Sequence, residues 1–347
     1  MTRWDDVGDL GRLLDPESLT ALLRDGGIPA TSAVPDHLRL KAGVNALVGL
    51  RIETASGRQP GYVRTYADPA QAGRAAQKWQ RMRVDATTSG PGVRLLPGGS
   101  SVLFLFPNDA RVRRLRLLAG RPRRLARVLA DLEDFPQGRL GLGRTTLEVL
   151  RYKPERRLVA CARLVVDEEP RTVVFRLRAD GAGPELSMII RRLHAALGAR
   201  VPRPLGLLFD GALVAEDVVP GTVLAAAVAA DDADPGAAAE VIAALHSSGI
   251  TLPDQLEASD ILSRALAGLD LLTAVDPSIV PALRELRSSL VAALPPPRPP
   301  VSLHGDLHLD QIILGSSGPV VLDFERAATG PAGHDLGTLV AHLRAEG

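Results

Sequence analysis

Asp306 and Gln311 stand in the run Leu303-His304-Gly305-Asp306-Leu307-His308-Leu309-Asp310-Gln311, and a second acid, Asp323, closes Val320-Val321-Leu322-Asp323 before Phe324-Glu325. An aspartate, an amide and a further carboxylate in that order are the parts that transfer of a phosphoryl group to a hydroxyl requires. Asp306 can take the proton of an attacking hydroxyl, while Gln311 and Asp323 offer hard oxygen ligands to a Mg²⁺ ion bridging nucleotide phosphates. The elements that must position them are also readable. Ile312 to Leu314 and Pro319 to Phe324 are apolar, strand-like runs around Gly315-Ser316-Ser317-Gly318, a turn that folds Asp323 back beside Gln311. His-Gly-Asp or Asp-Phe-Glu alone would be only a turn or a strand end; order, spacing and hairpin together specify the layout.

The segments HGDLHLDQ and VVLDFERAATGPAGHDLGTL resemble the signature of the aminoglycoside phosphotransferase and choline kinase superfamily, small-molecule relatives of the protein kinases. The resemblance is specific over residues 303–339, weaker over about 147–339 and thin before that. It implies an α+β, bilobal protein-kinase-like fold with an additional N-terminal α+β domain. It further implies Asp306 as catalytic base, His304 as a residue bracing the catalytic loop, Gln311 and Asp323 as metal ligands, and Asp335 in His334-Asp335-Leu336-Gly337 as a structural brace. Two departures stand out. The family most often has Asn where Gln311 sits, and it continues through further helices that wall the acceptor pocket, whereas here Gly347 follows soon after the helix-like stretch Leu336 to Arg344. The expectation is either a C-terminal truncation or an acceptor site built from something else.

The chain of 347 residues is too long for one ordinary core. Three segments are expected: residues 1–135 as an N-terminal α+β domain, 136–221 as a kinase-like N-lobe with its hinge, and 222–347 as a mostly helical C-lobe. An internal repeat supports the first two. Leu38 to Asp68 aligns without gaps to Leu150 to Asp180, matching Lys41 with Lys153, Arg39 with Arg151 and Arg64 with Arg176, and both copies read as three strands. In the second copy, Lys153-Pro154-Glu155-Arg156-Arg157 takes the place of the loop that lies over nucleotide phosphates in kinases, yet it holds no glycine. Cationic side chains would have to meet the phosphates instead.

No lysine follows Lys153, so Arg176 becomes the candidate for the strand cation that pairs with the α- and β-phosphates; its other reading is an exposed charge on the sheet. Arg64, its counterpart in the first copy, has no expected nucleotide role. Glu185, after Pro184 at the start of a helix running to Leu197, is placed to pair with that cation, although an acid there also suits the helix dipole. Glu216, Asp217 and Val218 form the expected adenine edge. Helices are expected around 225–230, 237–247, 261–275 and 278–294, and the stiff run Pro295 to Pro300 then leads to the catalytic strand.

Net charge is +1, which gives no general attraction to nucleic acid or to an anionic membrane. Arg111, Arg113, Arg114, Arg116, Arg121, Arg123, Arg124 and Arg127 read as a solvated helical stretch that Pro122 interrupts. The single cysteine, Cys161, has no internal partner and sits in an apolar strand pattern, so a cytoplasmic setting is expected. No apolar run reaches the roughly 20 residues needed to span a bilayer. The sequence therefore predicts an ATP-dependent, Mg²⁺-requiring phosphotransferase acting on a hydroxyl of a sugar, an aminoglycoside or an amino alcohol. The alternative is a pseudokinase, a nucleotide-binding or structural module without transfer; oligomeric state cannot be read from the sequence.

Overall fold

In the computed structural model, which describes residues 7–41, 43–81, 87, 89–275, 277–293 and 298–346, the chain divides into two units. One holds residues up to Gly181 together with Leu208–Leu213, and the other holds Ala182–Leu207 and Val214 onward.

Two helices, α1 (Leu10–Leu14) and α2 (Pro16–Asp25), open the first unit. Asp15 separates them, its carboxylate accepting the Ser18 N–H at 2.8 Å, and Pro16 stands where a helix has no use for an N–H. α2 buries Leu19, Leu22 and Leu23 on one face of an antiparallel sheet built from β1 (Ala30–Lys41), β2 (Asn45–Thr54), β3 (Gly57–Tyr66), β4 (Val93–Leu95) and β5 (Ser101–Leu105), in the order β1-β2-β3-β5-β4. α3 (Pro69–Arg81) covers the other face. There Trp79 meets Phe104 edge-on at 5.6 Å, and Phe104 stacks on Tyr62 at 4.7 Å. With both faces covered, β2 buries consecutive residues, Ala46 to Leu50, rather than alternate ones.

The arginine-rich stretch then forms α4 (Leu115–Leu118) and α5 (Pro122–Ala130). The stretch is broken before Pro122 as expected, and Pro122 then stands at the first position of α5, where its missing N–H loses no bond. Leu115, Leu118, Leu125 and Leu129 point inward while most of the arginines are exposed.

The meander of the second copy comprises β6 (Thr146–Lys153), β7 (Arg157–Val166) and β8 (Glu169–Arg178). Its last two strands follow those of the first copy at one constant shift: Asn45 falls on Arg157, Thr54 on Val166, Gly57 on Glu169 and Tyr66 on Arg178. The likeness also runs past the residues that align. Each meander is followed by one helix and two strands, α3, β4 and β5 in the first copy, and α6 (Gly183–Leu197), β9 (Pro204–Leu208) and β10 (Leu213–Asp217) in the second.

Within the second unit, α6 packs Leu186, Ile190 and Leu193 into a core shared with Val241, Ile242, Leu245, Leu307, Ile312, Val321 and Phe324. Those residues come from α8 (Ala237–His246), which follows β11 (Thr222–Val223) and α7 (Leu224–Ala229), and from the strand-rich segment after α9 (Ala258–Val275) and α10 (Val280–Ala292). Of the expected stiff connector, residues 295–297 lie outside the described residues. Beyond it, β12 (Val301–Leu303) pairs with β15 (Ala328–Gly330), the hairpin of β13 (Ile312–Gly315) and β14 (Gly318–Val321) lies between them in sequence, and α11 (Gly333–Glu346) follows. Among the described residues no helix is long and apolar enough to cross a membrane.

Candidate active site

β12 delivers the chain to a turn that only glycine permits. Gly305 has φ +80°, and a Cβ there would run into the carbonyl of Arg326. His304, wholly buried, ties this turn to the end of β14. Its Nε2 lies 2.7 Å from the Leu322 carbonyl and its Nδ1 accepts the Asp306 N–H at 3.3 Å, which together require the ring proton on Nε2. Asp335, from the first turn of α11, holds the same backbone from the other side. Its Oδ2 accepts from His304 N–H at 2.8 Å and faces His246 Nε2 at 3.0 Å, while Oδ1 accepts from Gly305 N–H at 2.8 Å. Burial pushes this carboxylate's pKa up, but the hydrogen bonds from His246, His304 and Gly305 outweigh it and hold the group below its ordinary range.

With the loop held at both ends, the Asp306 side chain is left 46 % exposed, with Arg326 Nε 3.5 Å from its Oδ2. The hairpin sets the other two residues. Gly315 faces Gly318 across its turn, and the Leu322 N–H donates to the Gln311 carbonyl at 2.8 Å, so Asp323 emerges next to Gln311. Asp323 adopts φ +61° and ψ +60°, a left-handed conformation that a non-glycine residue keeps only when its surroundings impose it.

Gln311 is largely buried, its amide nitrogen 3.1 Å from His308 Nε2. The His308 ring stacks on His342 at 4.6 Å. Burial, then the neighbouring His342, hold His308 below its ordinary pKa, with Asp310 pulling the other way, so the neutral ring accepts from the Gln311 amide. Gln311 Oε1 is thereby the atom turned to other use. An amide oxygen and a carboxylate are hard donors of the kind that a magnesium ion takes.

The remaining predicted residues fall in both units. In the first, Lys153 ends β6, and Arg176 lies in β8 opposite Val159, only 4 % exposed, which removes its reading as an exposed sheet charge. In the second, Glu185 is exposed on the first turn of α6, Glu216 is buried in β10, Asp217 pairs with Arg203 at 2.6 Å, and Val218 is exposed. Hydrogen bonds thus tie His304 to Asp306, Asp335 and Leu322, and Leu322 to Gln311, with Asp323 next in the chain. Sequence reasoning missed His246, His308 and Arg326. Arg326 carried a faint signal in its place just after Asp-Phe-Glu; His246 carried none, being 89 residues from the acid it contacts. A cavity of about 820 Å³ in the second unit is lined by Gln255, Glu257, Arg298, Thr329 and Leu336 among others, and none of Asp306, Gln311 or Asp323 forms its wall.

The profile of the phosphotransferase enzyme family matches residues 162–347, more than half of the chain. The chain belongs to that family. No curated protein sequence matches this phosphotransferase. Solved structures to which it is similar include choline kinase LicA from Streptococcus pneumoniae, 14 % identical over 57 % of this chain and 69 % of that one, with a TM-score of 0.42. Others are macrolide 2'-phosphotransferase MphH from Brachybacterium faecium, 20 % identical over 64 % and 81 % with a TM-score of 0.44, and a choline/ethanolamine kinase family protein from Mesorhizobium loti, 19 % identical over 62 % and 68 % with a TM-score of 0.42. The phosphotransferase has a mixed fold of helices and sheets, carrying an N-terminal sheet domain.

Proposed function

We propose that the phosphotransferase moves the γ-phosphoryl group of ATP to a hydroxyl of a small molecule, a sugar, an aminoglycoside or an amino alcohol. The carrying observation is the exposed Asp306 carboxylate on a loop whose neighbouring backbone is clamped by Asp335 and His304. A carboxylate so presented can accept the acceptor's proton while His304 and Asp335 keep it in place. Gln311 Oε1 and the Asp323 carboxylate would hold Mg²⁺, which supplies charge neutralisation at the phosphates. Lys153 and Arg176 are assigned to the phosphates, Glu185 to the support of Arg176, and the backbone at Glu216, Asp217 and Val218 to adenine. A cytoplasmic setting is supported by the lone, buried Cys161.

Replacement of Asp306 by alanine tests the central role. Transfer should fall by two to four decades, the range of a lost general base, while the dissociation constant for Mg·ATP measured by calorimetry stays within about twofold. Residual transfer within tenfold of the native protein would take Asp306 out of the base role. A second reading, a nucleotide-binding module without transfer, is favoured by the glycine-free loop at Lys153 to Arg157. ATP binding with no turnover across a panel of hydroxyl acceptors would put that reading first.

A further inference from the structure

The loop between β6 and β7 hides an acid. Glu155 is 1 % exposed and has φ +57°, a left-handed backbone at a residue that is not glycine. Its Oε2 lies 2.9 Å from Arg39 Nη2 on β1 and 3.0 Å from Arg64 Nη2 on β3. Its backbone N–H donates to Asp109 Oδ2 at 2.9 Å, and the same oxygen accepts the Tyr152 hydroxyl at 2.7 Å. The other oxygen of Asp109 accepts the N–H groups of Arg111 and Val112, both at 2.7 Å. All of these residues belong to the first unit.

Two unfavourable choices meet at one residue, and residues before β6 compensate both. A left-handed non-glycine residue persists only where its surroundings over-determine it. A carboxylate taken out of water stays charged only beside partners. Arg39 and Arg64 are those partners, and Asp109 fixes the backbone. Turning Glu155 inward leaves its neighbour Arg156 exposed. Cations gather at this loop: burial, then the charges of Lys153 and Arg39, and more weakly Arg156, hold His37 below its ordinary pKa, against an opposing pull from Asp36.

The repeat sharpens the point. Arg64 occupies in β3 the place that Arg176 has in β8. In the first copy the side chain at this position grips a carboxylate from the loop of the second copy, so Arg64 acquires a role that the sequence did not suggest.

We propose that Arg39, Arg64 and Asp109 are positioning residues for the nucleotide, the first sheet copy serving as a backing that holds the glycine-free loop Lys153 to Arg157 in one shape so that Lys153 and Arg156 face the polyphosphate. This rests on the reading that the loop covers the phosphates. A glycine-rich loop adapts to phosphate by moving; this one is shaped beforehand, and the ordering that binding would otherwise require is already done.

The test compares Arg64→Ala with the native full chain, reading dissociation constants for ATP and for adenosine together with trypsin cleavage after Arg156 and Arg157. The native loop should resist cleavage and the variant loop should be cut. The constant for ATP should rise roughly tenfold, that for adenosine by less than twofold, and Arg64→Lys should restore most of the loss. Should Arg64→Ala fail to fold, Glu155→Gln, which keeps the shape of the side chain and removes the buried charge, carries the same expectation. A variant whose loop is cut but which binds ATP like the native protein overturns the positioning role alone. A native protein that resists cleavage yet has no affinity for ATP overturns the nucleotide reading, and the positioning role with it.

Discussion

At the scale of single residues, the strongest constraints surround the loop that carries Asp306. Asp335 is an ionised acid in a buried place, and the three hydrogen bonds it receives keep its pKa below the unfolded value of about 3.9. Its contribution to stability is therefore complete above that value and drains away as pH falls through the lower, folded one. Asp335→Asn should unfold in urea with about 2–4 kcal/mol less stability near neutral pH, the gap narrowing once pH is taken below about 4. A gap that stays constant across that range would mean that the carboxylate is not charged in the fold. Gly305→Ala faces both the Arg326 carbonyl and a left-handed φ, and should lose about 1–3 kcal/mol along with most transfer; an unchanged melting temperature would show that the turn can open. Asp323→Asn should fold, since Asn tolerates left-handed backbone, yet need more Mg²⁺ for transfer because a ligand charge is gone. An unaltered Mg²⁺ dependence would reduce Asp323 to a strand-end residue. The closeness of Gln311 and Asp323 along the backbone was legible because one short hairpin joins them. The Glu155–Arg39 contact spans 116 residues, and an acid between Pro154 and Arg156 reads locally as solvated, so nothing in the sequence announced it.

At the scale of elements, the three strands of the second copy were legible from their β-branched and apolar runs. Their ends were not, since Lys153, Arg157 and Arg178 look like loop residues but complete the ladder between β6, β7 and β8. The helix and two strands that extend the likeness between copies left no alignable trace, because a helix face and short strands accept many apolar residues so long as the pattern holds. α3 illustrates how such an element is fixed. It is seated on the first sheet through Trp79 against Phe104, itself stacked on Tyr62, so Phe104→Ala should remove about 3–5 kcal/mol from unfolding in denaturant. A loss below about 1 kcal/mol would show that Tyr62 and Trp79 close over the gap.

At the scale of the whole molecule, positive charge is carried almost entirely by arginine: Lys41, Lys78 and Lys153 are the only lysines. Amine acylation is thus a sparse map of the surface, and Mg·ATP should protect Lys153 while leaving Lys78 as reactive as before; equal labelling of both would detach the loop from the phosphates. The duplicated architecture also affects how the protein behaves in concentrated solution. β1 and β6 each stand at the end of a sheet, and at the matching position each turns a leucine outward, Leu38 at 40 % and Leu150 at 52 % exposure. An edge strand with an apolar side chain in the open is a template for a neighbouring molecule, and a net charge of +1 offers little colloidal repulsion to keep such edges apart. Clouding on heating should therefore begin at these two edges. Leu150→Lys should delay it without moving the unfolding midpoint, because that side chain stabilises contacts between molecules and not the fold of one.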